Sequence, residues 1–346
     1  MKRSLSGSRP SMWSLIATLL ILFAVPVVYG KSDKKSQSNK NERSIVFEEE
    51  FALERDGKLV VEVDDMDVIL ETNDGRTASV AVYVSGRDRD KARGYFEKIR
   101  FEAQLLGRTL EVRSRDNNQY GWDTWFGSRH PHVWVVVMLP RQIDVEIETE
   151  DGDIKMDGVN GNAYVRTEDG DIVADAIDGD SIEIRSEDGD IVAKSLTGRD
   201  LTLWTEDGDI EVDAVNAQEL DVSVEDGDIV LSRVDSKLTI VKTDDGDLDV
   251  VISGARLEIS CADGNIHARL LDAMEVEIEI EDGDVVLDLP KNTGFDLDLG
   301  GGDVNIRTKL EIEGRVSDDS LRGSVNDGGP VVRVRGGDGS IVVREK

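Results

Sequence analysis

Thr167-Glu168-Asp169-Gly170-Asp171-Ile172-Val173 decides the reading, because it recurs almost unchanged through the second half of the chain. Close copies centre on Asp151-Gly152-Asp153, Asp188-Gly189-Asp190, Asp207-Gly208-Asp209 and Asp226-Gly227-Asp228. Looser ones centre on Asp245-Gly246-Asp247, Asp263-Gly264-Asn265 and Asp282-Gly283-Asp284. Successive glycines lie 18 or 19 residues apart, and a fixed period of that length describes a solenoid in which one coil stacks on the next.

Counted from each glycine, the apolar residues keep one register. Position −5 carries Ile147, Val165, Ile184, Leu203, Val222, Val241, Ile259 and Ile278; position +2 carries Ile154, Ile172, Ile191, Ile210, Ile229, Leu248, Ile266 and Val285. Positions −7 and +4 repeat the pattern, so residues alternate by twos on both sides of the glycine. Each coil should hold two short strands meeting at an Asp-Gly corner. A third contact follows near +7, at Val159, Ile177, Leu196, Val215, Val234 and Leu271. Three faces and about 19 residues per coil predict an all-β fold, a single-stranded parallel β-helix. Right-handed coiling follows from crossover chirality, and eight coils at about 4.8 Å each make a rod of roughly 40 Å. Position −3 is a column of small polar groups, Thr149, Thr167, Ser186, Thr205 and Thr243. Cys261 shares this rung, which places the only cysteine inside the packing, without a neighbouring base.

Outward from the repeats, the domains are 1–30, a signal peptide; 31–44, a flexible lysine-rich linker; 45–142, a β-rich N-terminal cap; and 143–346, the coils with irregular C-terminal turns. Lys2, Arg3 and Arg9 precede an apolar run from Met12 to Val28, and Val28-Tyr29-Gly30 is a plausible cleavage site. The alternative is an uncleaved N-terminal anchor. Nothing else in the chain has the length and apolarity of a spanning segment. The cap is expected to contain one helix over Asp88–Ile99, with Ala92, Tyr95, Phe96 and Ile99 on one face.

The net charge of −32 becomes −35 without the signal, which makes nucleic acid a poor partner and cations or basic proteins better ones. Stacking turns the corner into columns of carboxylates. Candidate cation ligands are Asp151, Asp153, Asp169, Asp171, Asp188, Asp190, Asp207, Asp209, Asp226 and Asp228, with Ca²⁺ as the ion because it takes several hard oxygens. The competing reading is purely structural: Asp-Gly makes tight turns, the glycine supplies positive φ, and the aspartate bonds its local backbone. No cofactor is required on either reading. Tyr120, Trp122, Trp125 and Phe126 form an aromatic segment that either covers an open part of the solenoid or binds a protein or glycan partner. His130 and His132 have metal-like spacing but no third ligand in view. Gly179-Asp180-Ser181 mimics a hydrolase signature but falls in mid-repeat.

The chain resembles the bacterial adhesin-like β-helix family of envelope and secreted proteins, a domain of unknown function. The resemblance rests on the strand ending in Leu139-Pro140, the repeated Thr-x-Asp-Gly-Asp-Ile, Leu289-Pro290-Lys291 before Gly294-Phe295-Asp296, and Asn326-Asp327-Gly328-Gly329-Pro330-Val331 before Gly337-Asp338-Gly339-Ser340-Ile341. It implies a β-helix and an extracytoplasmic location (periplasm, cell surface or medium) and supplies no catalytic residues. The expected protein is therefore a non-enzymatic monomer that binds an envelope or surface partner or divalent cations. The alternatives are a polysaccharide-active β-helical enzyme, which would need its acids gathered in one cleft, and a self-assembling scaffold, which the apparent end caps oppose.

Overall fold

A computed structural model of the chain describes residues 43–85, 93–94, 96–115 and 132–346. Its strands form one continuous sheet wound into a β-solenoid. The repeat register predicted from the glycines is the observed pairing. Ile172 in β11 (Ile172–Asp175) lies beside Ile191 in β13 (Ile191–Asp207), which lies beside Ile210 in β14 (Ile210–Asp226). The same column continues to Ile229 in β15 (Ile229–Asp245) and Leu248 in β16 (Leu248–Asp263). All these pairings are parallel, so equal positions stack and each coil buries side chains at +2, +4, +7, −7, −5 and −3.

Two expectations change at this level. The first repeats do hold two short strands each, but in the middle coils these merge: β13, β14 and β15 run 17 residues from one Asp-Gly corner to the next, because inter-coil pairing persists around all three faces. Leu271 is not a core residue; it is 46% exposed and Leu270 is buried in its place. The cause is one missing residue in the preceding coil, whose register shifts between Leu231 and Val234, so that Ile252 stacks on Val234 and Leu270 on Ile252.

Parallel stacking also reaches back into the segment expected to be a cap. β2 (Gly57–Val63) and β3 (Asp67–Asn73) pair in register with β8 (Ile143–Thr149) and β9 (Ile154–Asp157), forming a coil in which Met66 takes the corner that glycine takes elsewhere. β6 (Thr109–Arg113) and β7 (Val133–Pro140) stack on β2 and β3 in turn. The cap proper is antiparallel: β4 (Ala78–Ser85) on β7, β1 (Arg43–Phe51) on β4, and β5 (Glu102–Leu106) on β6. Phe47, Phe96 and Phe101 pack against the core beneath it, with Phe47 and Phe101 centroids 5.0 Å apart. Within the described residues the expected helix is a single turn at Arg93, Gly94 and Phe96, closed by Glu97 N–H donating to the Arg93 carbonyl at 2.9 Å. Ala92 and Tyr95 lie outside the described residues.

At the other end the chain departs from sequence order. β18 (Glu275–Asp282) and β19 (Val285–Leu289) make the last repeat, but β20 (Phe295–Thr308) does not stack on them. The final strand, β23 (Val331–Glu345), lies between: its one edge pairs with β18 and β19, its other with β20. Asp338-Gly339-Ser340 thereby supplies one more corner to the column. β22 (Ser320–Val325) runs antiparallel on β20, and β21 (Glu313–Val316) on β22, closing this end.

Candidate functional site: the acidic corner

The corner is built by the close approach of stacked backbones. A Cβ added to Gly189 would sit 2.2 Å from the Gly170 carbonyl oxygen, inside any contact real side chains make. Positive φ, the reason expected from turn chemistry, is absent at Gly170 and Gly189; it appears in later coils, as at Gly264 (+150°) and Gly283 (+140°).

The aspartates divide into two populations. Those at +1 reach across the stack; the carboxylate accepts the backbone N–H of the same position one coil on. Asp190 N–H donates to Asp171 Oδ1 at 3.0 Å, Asp209 to Asp190 at 2.9 Å, Asp228 to Asp209 at 2.8 Å and Asp247 to Asp228 at 2.8 Å. The ladder begins at Asp67, which accepts from Asp153 N–H at 3.3 Å, and continues from Asp171 N–H on Asp153 to Ser340 N–H on Asp284. These carboxylates replace the hydrogen bonds that the turn removes from the β ladder. Most −3 hydroxyls do the complementary work: Ser186 Oγ donates to the Gly170 carbonyl at 2.9 Å and Thr205 Oγ1 to that of Gly189 at 3.0 Å, while Thr243 Oγ1 is buried without a partner among the described residues. Cys261 stands in the same relation to Gly246, with Sγ 3.9 Å from its carbonyl oxygen. Burial, together with Asp263 and Asp247, pushes its thiol up to about 11, so it stays protonated at neutral pH.

The aspartates at −1 (Asp151, Asp169, Asp188, Asp207, Asp226) and the glutamates at −2 form the outer columns. Glu150 is raised above the usual carboxylate range by Asp64 first, then by its own desolvation and Glu168. Glu206 is raised chiefly by Glu225, and Asp169 by desolvation and then by Asp151 and Asp188. Stacking thus sets like charges side by side with little compensation. Glu187 is an exception, since it accepts from Arg166 Nη2 at 2.6 Å. Among the described residues no three carboxylate, histidine or cysteine side chains converge in a geometry that could hold a metal ion.

The other sequence candidates fall elsewhere. Tyr120, Trp122, Trp125, Phe126 and His130 lie outside the described residues. The ring of His132 contacts Asp67, at the head of the ladder, and packs edge-on to Trp134 at 4.3 Å. Gly179 belongs to a second corner that sequence reading missed, a column of Gly161, Gly179, Gly198, Ala217, Ser236 and Gly254. A Cβ on Gly179 would lie 2.2 Å from the Gly161 carbonyl oxygen. Its signal was the recurrence of small residues nine after each corner glycine, eight in the short coil of Gly246, weakened by the alanine and serine. A shallow open cleft of about 410 Å³ lies beside Cys261, lined by Glu279, Glu281, Asp244 and Arg335. Arg335 is committed within the protein, donating to the Asp298 carbonyl at 2.8 Å and pairing with its carboxylate at 3.0 Å.

Fold and corner together define a β-solenoid with an acidic edge. Residues 57–344 match the Toastrack DUF4097 family, and the chain belongs to that family. Similar solved structures include a candidate adhesin from Parabacteroides merdae (10% identity, 89% of this chain and 97% of that one, TM-score 0.46). Others are a candidate adhesin (11% identity, 88% and 98% covered, TM-score 0.43) and a candidate lipid-binding protein (13% identity, 88% and 97% covered, TM-score 0.41), both from Parabacteroides distasonis. No curated protein matches the chain. No helix among the described residues is long and apolar enough to cross a membrane.

Proposed function

We propose that the protein is a non-enzymatic, extracytoplasmic, adhesin-like solenoid whose acidic edge is a binding surface for cations, Ca²⁺ foremost, and for partners bridged by them. One observation carries this reading. Of the stacked acidic columns only the +1 column is consumed in backbone hydrogen bonds, while the −1 and −2 columns project outward and repel one another. Bound cations would relieve that repulsion. The N-terminal charged and apolar regions supply the route out of the cytoplasm, and N-terminal sequencing of the mature chain tests that part.

Binding is tested by thermal melting. Ca²⁺ at about 1 mM should raise Tm well beyond NaCl of equal ionic strength, and the excess should shrink in the Asp169→Asn/Asp188→Asn/Asp207→Asn variant. Equal shifts from the two salts would reduce the effect to screening and remove the Ca²⁺ reading.

A further inference from the structure

The intercalated β23 has three properties that belong together. First, it is held on both edges by segments that are not its chain neighbours: β18 and β19 begin 56 residues upstream in register, and β20 pairs along the opposite side from Asp296↔Val331 to Thr308↔Val343. Withdrawing it would leave a slot one strand wide, with two rows of unpaired backbone groups.

Second, strand and slot are complementary in charge. In a chain with a net charge of −32, β23 and its end carry Arg333, Arg335, Arg344 and Lys346 against only Asp338 and Glu345. The slot presents a carboxylate to each. Arg333 Nη1 meets Glu277 at 3.0 Å and Arg335 Nη2 meets Asp298 at 3.0 Å. Fully buried Asp288 receives Arg344 at 2.5 Å on Oδ1, and Lys346 at 3.0 Å and His267 at 3.1 Å on Oδ2. Burial alone would raise the Asp288 carboxyl, but Arg344, Lys346 and His267 outweigh it and hold it below the usual range.

Third, the link between β22 and β23 is conformationally loaded. Asn326, Asp327 and Gly328 stand consecutively at φ of +46°, +68° and +78°, two of them with side chains in the left-handed region, and Pro330 follows. A tight, strained connection to a separable element is the arrangement from which elements are traded between copies.

We propose that β23 is an exchangeable strand: two copies of this chain swap residues 331–346 through the Asn326–Pro330 link, each strand filling the other's slot in a closed dimer. The recognition is strand addition, with main-chain pairing for affinity and the three guanidinium groups and Lys346 for register. The exchange carries one corner, Asp338-Gly339-Ser340, with the strand and restores it from the other copy, so it does not rest on the function proposed above.

The test uses the full chain in a Cys261→Ser background carrying Val286→Cys and Val342→Cys, which pair across β19 and β23 without touching the ion pairs. Protein is warmed to the foot of its melting transition under reducing conditions at about 10 or about 500 μM, cooled, diluted to about 1 μM so that chance encounters are suppressed, and then oxidised. A monomer gives an intramolecular disulfide, and a swapped dimer gives a covalent dimer on a non-reducing denaturing gel. The dimer should appear at the higher concentration. Removing Asp327 and Gly328 should raise its fraction at least about fivefold, while Asn326→Gly/Asp327→Gly should lower it. Only intramolecular disulfide from the chain with its native link, at both concentrations, overturns the proposal even if the shortened variant fails to fold.

Discussion

At the scale of single residues, the corner shows why one motif carries unequal parts. Asp190 is both solvent-facing and structural, since its Oδ1 accepts Asp209 N–H and its own N–H donates to Asp171. Asparagine keeps that acceptor, and the chain already uses it: Asn265 N–H donates to Asp247 Oδ1 at 2.8 Å, and Asn265 Oδ1 accepts from Asp284 at 3.2 Å. Asp190→Asn should therefore leave stability within about 0.5 kcal/mol, whereas Asp190→Ala orphans an amide and should cost about 1–2 kcal/mol. Urea unfolding of both variants checks this, and equal costs would mean the ladder contributes nothing. The identity of these residues was plain in the sequence, but their partner was not. A carboxylate that bonds its own turn and one that bonds the next coil have the same spacing, and only the stack separates them.

At the scale of elements, the period predicted the pairing because every coil repeats its apolar register, and core packing punishes any slip. It failed where a coil is one residue short: counting from Gly264 selects Leu271, while the wall is continued by Leu270. It also missed the coil of β2 and β3, whose corner at Met66 lacks the glycine that marks the others. The place of β23 could not be read from period at all, since its partners are distant in sequence. The regular coils invite a direct test. Excising Asp190 to Gly208 removes one period and joins Gly189 to Asp209, returning Ile172 onto Ile210 and leaving each remaining interface of the same kind. In a stack of nearest-neighbour contacts such a chain should fold with unchanged circular dichroism per residue and a lower Tm. Excising the same stretch displaced by five residues, Ser195 to Asp213, removes an equal length and keeps the register too. Failure of both would show that the coils are not interchangeable units.

At the scale of the whole molecule, two sets of carboxylates pull the pH dependence in opposite directions. Glu150, Glu206 and Asp169 titrate above their usual range because of charged neighbours and desolvation, so the folded state takes up protons more readily than the unfolded one. Their contribution makes stability rise as pH falls from 7 towards about 4. Asp288 and Asp298 titrate below their usual range, held down by Arg344, Lys346 and His267 and by Arg322 and Arg335 respectively, against the upward effect of burial. Their stabilisation is complete above about pH 4 and is lost as pH falls through the depressed values. Calorimetry at low salt should show Tm highest near pH 4–5 and falling below about pH 3. A Tm that declines steadily from pH 7 would mean the edge carboxylates are compensated.

The +1 ladder also has a direction. Each aspartate offers its oxygen to the coil that follows it in sequence, so in N-to-C growth an added amide would meet an acceptor already fixed in place. A chain laid down N-terminus first copies its own last turn, as a crystal face orders the next layer. In the opposite direction each new coil would bring the acceptor to an amide already exposed. The solenoid is in this sense self-templating with a polarity, and its natural seed is the glycine-free corner at Asp67, where the ladder begins.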